Sequence, residues 1–337
     1  MKIDLTVPIS GPADCRDVVA QAERDGYDGV WTTETKHDPF VSLALAATVT
    51  EHIELGSAVA LAFARNPMSV AVLGHDLQHL AQGRIRLGLG TQIKAHITRR
   101  FGMPWSYPAR RMREFVLALR AIWQSWENDT PLDFRGEFYT HTLMPTMFVP
   151  DRHRYGPPPV LLAAVGTAMT EIAGEVADGV LCHGFTTERY LREVTLPALR
   201  RGREKVGRTL DGFEITGSTM IVVGRDEQEL EKALVGVRKQ IAFYASTPAY
   251  RAVLDLHDRS ELGERLHQLS RAGEWNTMAS LVDDEFLRAV AIVGKPNEVA
   301  AELKRSYGDM LTRVSFYTPY EIDPKLVSEL AVAVRAV

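Results

Sequence analysis

The sequence has few cysteines and no long apolar runs. Cys15 and Cys182 are the only cysteines among 337 residues, so at most one disulfide could form, which fits a reducing cytoplasm. No apolar stretch approaches the roughly 18 residues of a membrane span. The opening residues, MKIDLTVPIS, lack the apolar segment of a signal peptide. The sequence therefore predicts a cytoplasmic protein with no membrane partner.

An excess of positive charge is also missing. The chain has 39 Lys and Arg residues against 43 Asp and Glu, a formal net charge of −4. A general nucleic-acid binder needs a basic excess to neutralise phosphates, so nucleic acid is not an expected partner. Glycine (25) and proline (17) occur at ordinary frequency, and 45% of residues are hydrophobic, which excludes disordered, collagen-like and coiled-coil classes.

What the sequence does contain is an alternation of short apolar runs with longer amphipathic segments, typical of repeated βα units. Strands that each lead into a helix pair in parallel. Eight such units without an early dinucleotide fingerprint favour a closed (β/α)8 TIM barrel over an open sheet. The predicted strands are Ile3–Ile9, Gly29–Thr33, Ile53–Ala60, Arg84–Gly90, Pro159–Val165, Gly179–His183, Phe213–Val223 and Thr312–Tyr317.

Two segments interrupt this alternation. Residues 127–158 are too long for a plain connection, so we predict a functional loop or lid there. Residues 249–290 carry leucines at helical spacing and predict a helical insertion near the last barrel strands. Neither segment has the composition of a linker, so residues 1–337 are predicted to form a single barrel domain with two excursions.

Barrel enzymes carry their chemistry on the loops at the carboxyl ends of the strands, because those loops converge on one mouth. The loop after the second predicted strand is unusually polar from Thr33 to Asp38, which fits either a functional cluster or a solvated loop. His96 follows the turn after the fourth strand, and His183 ends the sixth. Both histidines could therefore face the mouth.

Three further strand ends could contact a ligand. Residues 58–63 are small and apolar, so they could let a flat ring approach the backbone or could simply be core. Residues 88–92, GLGTQ, lack the third glycine of a dinucleotide fingerprint and fit either a ligand contact or a tight turn. Residues 163–167, AAVGT, enter a helix. Exposed N–H groups, a hydroxyl and a glycine free to adopt positive φ would suit a phosphate there, with an ordinary N-cap at Thr167 as the alternative.

Two other patterns need interpretation. His75 and His79 have the i, i+4 spacing of a zinc pair, but a third ligand is missing and the segment lies on an outer helix, so no metal is predicted. Five arginines cluster within residues 99–113. Such a run is usually a solvated helix face, although it could attract the anionic tail of a phosphate-bearing ligand. These arginines are Arg99, Arg100, Arg110, Arg111 and Arg113.

Taken together, these residues resemble the luciferase-like TIM-barrel oxidoreductases, and in particular an actinobacterial branch that uses coenzyme F420. The matching segments include AERDGYDGVWTTE, ARNPMSVA, GRIRLGLGTQIKAHITRRFGMPWSYPARRMREF and LLAAVGTAMTEIAGEVADGVLCHGF. They occur in the family's order and cover nearly the whole chain. The stretch from Gly88 to Met112 is too long for a chance match.

The resemblance implies a flavin or deazaflavin in the barrel mouth. The ring would lie on the ledge after the third strand, where family members often have a non-proline cis peptide, here Ala58–Val59. The phosphate would bind the backbone after the fifth strand, and the polyglutamate tail of the coenzyme would be attracted by the basic run. The implied cofactor-binding residues are Thr35, Ala58, Val59, Ala60, Thr91, Gln92, His96, Arg99, Arg100, Ala163, Ala164, Val165, Gly166 and Thr167.

The sequence departs from related sugar-phosphate dehydrogenases, which have an Asp-His pair after the second strand. Here Glu34-Thr35 stands in that place, with His37 two residues later, so sugar-phosphate oxidation is not expected. The leading hypothesis is a homodimeric F420-dependent oxidoreductase that moves a hydride between the deazaflavin and a small organic substrate. The candidate proton donors are Glu34, His37, His96 and His183.

Three alternatives stay open at this point. The first is a monooxygenase on the same fold that uses reduced FMN and oxygen. The second is a cofactor-binding protein without turnover, in which the polar loop after the second strand is merely structural. The third, a metal-dependent barrel hydrolase, is disfavoured because ligand spacing is missing.

Overall fold

Parallel strands form the centre of the computed structural model, which describes residues 1–7 and 11–337. The parallel strands are joined by helices, and a separate antiparallel pair lies outside them. In chain order the strands are β1 Lys2–Val7, β2 Gly29–Thr32, β3 Glu54–Ser57, β4 Ala60–Leu61, β5 Ile85–Gly90, β6 Phe134–Arg135, β7 Thr140–His141, β8 Val160–Ala164, β9 Gly179–Cys182, β10 Glu214–Val223, β11 Ala291–Gly294 and β12 Arg313–Tyr317.

The parallel strands close into a barrel. Its order is β1, β2, β3, β5, β8, β9, β10 and β12, and β12 pairs again with β1, with Arg313 opposite Lys2. The short β4 continues the β3 side of the barrel by pairing with the carboxyl end of β5. This architecture confirms the predicted (β/α)8 TIM barrel. The last two residues of the first predicted strand, Pro8 and Ile9, lie outside the described residues.

Among the parallel strands, β11 was not predicted. It pairs with the carboxyl half of β10, Ala291 opposite Met220, while the amino end of β10 pairs with β9. The ten-residue β10 thus contacts three neighbours. The four residues AIVG are too short to stand out after a helical segment. The predicted insertion at 249–290 is indeed helical, and it ends directly at β11.

The helices begin at prolines and capping side chains that favour a helix start. Proline occupies the first turn of several of them, and side chains such as Asp38, Asn66 and Asp226 accept hydrogen bonds from backbone N–H groups at the start of α2, α3 and α8. No described helix is both long and apolar enough to cross a membrane. The helices are α1 Pro12–Arg24, α2 Pro39–Ala47, α3 Pro67–Leu80, α4 Pro108–Asn128, α5 Thr167–Val176, α6 Glu188–Tyr190, α7 Leu196–Glu204, α8 Glu227–Ala245, α9 Arg251–Leu256, α10 Ser260–Ala272, α11 Trp275–Ser280, α12 Asp284–Val290, α13 Pro296–Tyr307 and α14 Pro324–Ala336.

The long segment at 127–158 contains the hairpin formed by β6 and β7. The Glu114 carboxylate on α4 accepts hydrogen bonds from the N–H groups of Glu137, Phe138 and Tyr139, at 2.8, 2.7 and 2.6 Å. These bonds hold the turn of the hairpin against the first half of α4. The predicted loop at 127–158 therefore contains an ordered hairpin that is held against α4.

Buried charges fill the amino-terminal end of the barrel. The guanidinium of Arg313, 1% exposed, binds both oxygens of Asp4 at 2.7 Å and also contacts Glu54. Trp31 Nε1 donates to Asp4 at 2.8 Å. Burial raises the pKa of Asp4, although Arg313 acts in the opposite direction. The ion-pair cluster is structural, and in barrels of this type the ligand site lies at the opposite end, at the carboxyl ends of the strands.

Candidate functional site

A small apolar surface lies inside the barrel mouth. Ala58 and Val59, after β3, and Ala163, in β8, are half-buried and pack against a buried cluster inside the barrel. That cluster consists of Trp31, Leu161 and Leu181. We call Ala58, Val59 and Ala163 the floor. Two strand ends that the sequence predicts as ligand contacts therefore meet on one surface.

The floor contains the cis peptide that the resemblance implies, between Ala58 and Val59. Ala60, the next residue, is fully buried in β4 and faces the core instead of the mouth. Of the predicted ledge at residues 58–63, only Ala58 and Val59 are thus accessible from the mouth.

The Gly-x-Gly pattern in β5 is explained by the ledge. A Cβ on Gly88 would lie 1.8 Å from the Ser57 carbonyl oxygen, and a Cβ on Gly90 would lie 2.6 Å from a Val59 methyl. Both glycines let β3 and the ledge approach β5 closely. The positive φ in the following turn belongs to Gln92, at 59°. The two glycines are therefore explained by close packing beneath the floor, and the turn that follows them does not depend on a glycine.

Thr91 and Gln92 lie half-buried at the end of β5. Each makes a local hydrogen bond, Thr91 Oγ1 donating to the Gln92 carbonyl at 3.0 Å and Gln92 Oε1 accepting from the Ile93 N–H at 2.9 Å. These bonds fix the turn beside Gly90, where the Thr91 hydroxyl and the Gln92 amide lie at the carboxyl end of β5.

The amino terminus of α5 has the features of an anion site. Gly166 is its N-cap, no side chain caps it, and a Cβ on Gly166 would meet no atom within 4 Å. Gly166 and Thr167 are exposed, Val165 is half-buried and Ala164 is buried. Open space thus lies in front of backbone N–H groups at the positive end of a helix, an arrangement that can hold a phosphate.

Two details of this site differ from the sequence prediction. Gly166 has φ −83°, an extended conformation that any residue can adopt, so positive φ is not the reason for glycine here. Thr167 is the first helical residue and not the N-cap. The glycine matters because its missing side chain leaves the N–H groups accessible.

The polar loop after β2 is tied down by an ion pair. Glu34 Oε2 accepts from Arg65 Nη1 at 2.6 Å and from the Leu61 N–H at 2.8 Å, and its side chain is only 8% exposed. Arg65 also pairs with Asp38 at 2.6 Å. These contacts argue against the predicted role of Glu34 as a proton donor, because its carboxylate already anchors the loop. His37 is half-buried in the bend between Glu34 and Asp38.

Positive charge collects on one side of the mouth. Arg100 Nη2 donates to the Thr35 carbonyl at 2.8 Å, which joins the loop after β2 to the π-helical turn His96–Arg100. Throughout residues 1–7 and 11–337, no carboxylate pairs with any of four exposed cations on these two segments or just before the turn. We call these four the basic rim: Lys36, Lys94, Arg99 and Arg100.

The rest of the predicted basic run does not face solvent as one surface. Arg111 is buried, with its guanidinium 4.8 Å from the centre of the Phe63 ring and its Nε donating to the Tyr139 hydroxyl at 2.9 Å. Arg110 and Arg113 pair with glutamates elsewhere on the surface. His96 is exposed at the start of the π-helical turn. Of the five arginines, only Arg99 and Arg100 belong to the rim.

His183 lies at the end of β9, two residues beyond the interior Leu181. Its Nδ1 accepts from the Phe185 N–H at 3.1 Å, and its Nε2 lies 3.0 Å from the Tyr250 hydroxyl. Burial lowers the pKa of His183 to about 4. The ring is therefore neutral at pH 7. Because Nδ1 accepts, Nε2 carries the proton and donates to Tyr250.

Two tyrosines contact His183, and a third is hydrogen-bonded to one of them. Tyr250 stacks on its ring at 4.5 Å, Tyr244 contacts the ring edge-on at 4.6 Å, and the Tyr244 and Tyr317 hydroxyls are 2.9 Å apart. We call His183, Tyr244, Tyr250 and Tyr317 the aromatic wall. Tyr317 ends the last barrel strand and could have been found from its strand-end position. Tyr244 and Tyr250 belong to α8 and the insertion, and no sequence signal links them to His183.

The histidine pair on α3 lies outside the barrel. His75 stacks on His153 of the long segment at 4.2 Å, and the His79 ring is 5.2 Å from that of His153. Within the part of the chain that the structure describes, no three potential metal ligands converge. This cluster joins α3 to the long segment and includes no residue of the floor or the basic rim.

Comparisons with known proteins show which family the chain resembles. The model of the luciferase-like monooxygenases matches residues 4–313. An uncharacterised protein of Mycobacterium tuberculosis is 51% identical over 314 residues, 93% of this chain and 92% of that protein. The 5,10-methylenetetrahydromethanopterin reductase of Methanopyrus kandleri is 26% identical over 340 residues, 96% of this chain and 94% of that protein.

Solved structures show the same fold. The coenzyme F420-dependent tetrahydromethanopterin reductase from M. kandleri has a TM-score of 0.82 at 23% identity and covers 99% of this chain and 98% of that one. A Baeyer–Villiger monooxygenase of Pseudomonas putida in complex with FMN has a TM-score of 0.69 at 15% identity, with 99% and 97% covered. Similar proteins thus include both F420-dependent reductases and flavin monooxygenases.

Proposed function

Because the chain belongs to the luciferase-like monooxygenase family, we propose that it is a coenzyme F420-dependent oxidoreductase acting on a small organic substrate. The observation that carries the proposal is the basic rim after β2 and β5 together with an uncapped helix terminus after β8, the strand that pairs with β5. A deazaflavin supplies two-electron hydride chemistry when bound, and the protein supplies binding, orientation and water exclusion. An FMN-dependent monooxygenase is the alternative.

The floor and the terminus of α5 fit the parts that both cofactors share. The half-buried Ala58, Val59 and Ala163 offer a small apolar surface against which a tricyclic ring can stack. The uncapped N–H groups beyond Gly166 offer donors to a phosphate, and the first turn of α5 contains no carboxylate that would repel it. These features support a flavin or a deazaflavin equally well, which keeps FMN as the second candidate.

The basic rim favours F420 over FMN. FMN ends at its phosphate, whereas F420 continues into a polyglutamate tail with several carboxylates. Arg99 and Arg100 lie on a turn held beside Thr35, and neither is neutralised by a carboxylate among the residues that the structure describes. Exposed cations in such an arrangement attract an extended anion over several ångströms. A tailless cofactor would leave this charge without a ligand.

The remaining residues have roles that follow from their contacts. The ion pair of Glu34 with Arg65 holds the loop after β2, so it positions His37 at the mouth. Thr91 and Gln92 lie at the end of β5 beside the floor, and their side chains can form hydrogen bonds with the ribityl chain of the cofactor. We also propose a cytoplasmic homodimer. The two free, buried cysteines suit a reducing compartment, and sedimentation velocity measures the oligomeric state.

Cofactor titration tests the proposal. F420, FMN and a tailless deazaflavin are each titrated into the apo-protein while fluorescence is recorded. We expect F420 to bind most tightly. Replacing Arg99 and Arg100 with Ala should weaken F420 about tenfold or more at low salt and leave the tailless analogue nearly unchanged, because the tail interaction is electrostatic and screened by salt.

A matched control separates the effect of the rim arginines from a general effect of net charge on F420 binding. Arg200 on α7 and Arg208 in the following loop are exposed, and the Arg200→Ala, Arg208→Ala variant removes the same charge away from the rim. Its F420 affinity should equal that of the wild type. Tighter binding of FMN than of F420 would favour the monooxygenase, and equal losses for F420 and the tailless analogue would reject the role of the rim.

A further inference from the structure

The aromatic wall stands apart from the basic rim in its chemistry. In the described residues, no charged side chain hydrogen-bonds to His183, Tyr244, Tyr250 or Tyr317. Burial raises the pKa of Tyr250 to about 12, with a further contribution from Tyr244, and burial likewise raises the pKa of Tyr317. At pH 7 the wall is therefore a neutral surface of rings and hydroxyls.

The strands direct this surface toward the mouth. Side chains two residues apart on a strand point to the same face. Leu181 belongs to the cluster beneath the floor, and His183 follows it by two positions. Arg313 points into the barrel, where its guanidinium lies 5.5 Å from the centre of the Trp31 ring, and Tyr317 follows it by four positions. Tyr317 thus lies on the interior face of β12, and His183 directly follows β9. The three tyrosines of the wall also pack against a buried cluster that includes Phe185 and Phe286.

The hydrogen bonds leave one donor of the wall unused. His183 Nε2 donates to the Tyr250 oxygen, as its tautomer requires, so Tyr250 must give its own proton to another acceptor. No described residue accepts it. Tyr250 is half-buried and its ring is fixed by stacking on His183. Its hydroxyl is therefore an oriented donor on a neutral aromatic surface.

We propose that the aromatic wall is the substrate subsite, that it takes neutral, planar carbonyl compounds, and that the Tyr250 hydroxyl donates a hydrogen bond to the carbonyl oxygen. This inference rests on the proposed oxidoreductase and names its substrate class. Stacking on the tyrosine rings suits a flat molecule. An anionic substrate would find no cation in this wall. A hydrogen bond at the carbonyl oxygen stabilises the negative charge that develops there when a hydride adds to the carbonyl carbon.

A chromophoric carbonyl compound tests this subsite directly. 4-Dimethylaminocinnamaldehyde is flat and neutral, and its absorption moves to longer wavelength when its carbonyl oxygen accepts a hydrogen bond. Titrated into the wild-type protein, with and without F420, it should bind saturably and show this red shift. Tyr250→Phe keeps the ring and removes the donor. We expect this variant to lose the shift and to bind about fivefold more weakly, the effect of one ordinary hydrogen bond.

Tyr244→Phe is the matched control, because it removes a hydroxyl of the same wall that is bonded to Tyr317 instead of His183. It should retain the red shift. The three proteins should bind F420 with the same affinity. If the wild type does not bind F420, the proposed function is rejected, whereas the probe titration without F420 still tests the subsite. The absence of saturable probe binding to the wild type, or an undiminished red shift in Tyr250→Phe, would overturn the carbonyl subsite.

Discussion

Replacing Gly166 with Asp should weaken cofactor binding without lowering the stability of the protein. The new side chain has room, because a Cβ there meets no atom within 4 Å, and the backbone is already extended as an N-cap requires. Asp is among the best N-cap residues, so it should stabilise α5 by about 0.5 kcal/mol relative to Gly. The melting temperature should therefore be unchanged or slightly higher.

Cofactor binding should change in the opposite direction. The carboxylate would accept from the N–H groups proposed to hold the phosphate, and it would place a negative charge beside it. At about 4 Å and an effective dielectric constant of about 20, two unit charges repel by about 4 kcal/mol. Salt and side-chain rotation reduce this value, so we expect a loss of about 3 kcal/mol, which is roughly a hundredfold weaker F420 binding.

Two measurements check this expectation. Fluorescence titration gives the F420 affinity, and thermal unfolding gives the stability of the same preparation. Gly166→Asn is the control, because it supplies a similar cap without charge and should weaken F420 by only about tenfold. If Gly166→Asp binds F420 as tightly as the wild type, the phosphate does not lie at the start of α5 and the reasoning is refuted.

Two further predictions concern stability. Glu114→Gln should lower the free energy of unfolding by about 1–3 kcal/mol, because an amide cannot accept from all three N–H groups at 137–139. Urea unfolding measures this, and Glu127→Gln, an exposed position on the same helix, should have almost no effect; equal effects would contradict the hairpin anchor. His183, whose pKa burial lowers to about 4, binds fewer protons when folded than when unfolded, so its contribution to stability is complete above pH 6.5 and is lost as the pH falls toward 4. The urea midpoint measured from pH 4.5 to 7.5 should fall less steeply in His183→Asn than in the wild type, and parallel curves would show that His183 does not titrate in this way.

The barrel could be predicted from the sequence because its strands are regularly spaced and each precedes a helix. The positions of the strand ends also placed Ala58, Val59 and Ala163 at the mouth. The sequence could not predict that these residues share a surface with Trp31, since that contact depends on barrel closure. Likewise, β11 is only four residues long, and its partner β10 lies far away in the chain.

The candidate site was predictable only where local sequence determines it. The helix start after Gly166 is a local signal, so its position was right, while the reason for glycine was wrong. It was harder to predict from the sequence which charged side chains are buried. Arg111 and Arg99 look alike in one basic run, yet one is buried against Phe63 and the other lies on the rim, because burial is decided by the hairpin and by Tyr139. The pairing of His183 with Tyr250 spans 67 residues and has no local signature.

The ion-pair cluster at the amino-terminal end of the barrel has a consequence for synthesis on the ribosome. Arg313, the cation that pairs with Asp4, is added to the growing chain 309 residues after it. Until then, a nascent chain that packed β1 into a barrel would enclose a carboxylate without its counter-ion, which costs about 3–5 kcal/mol. We therefore expect a chain terminated before Arg313 to be cleaved by proteases faster than the full chain, because its barrel cannot close around a neutralised Asp4.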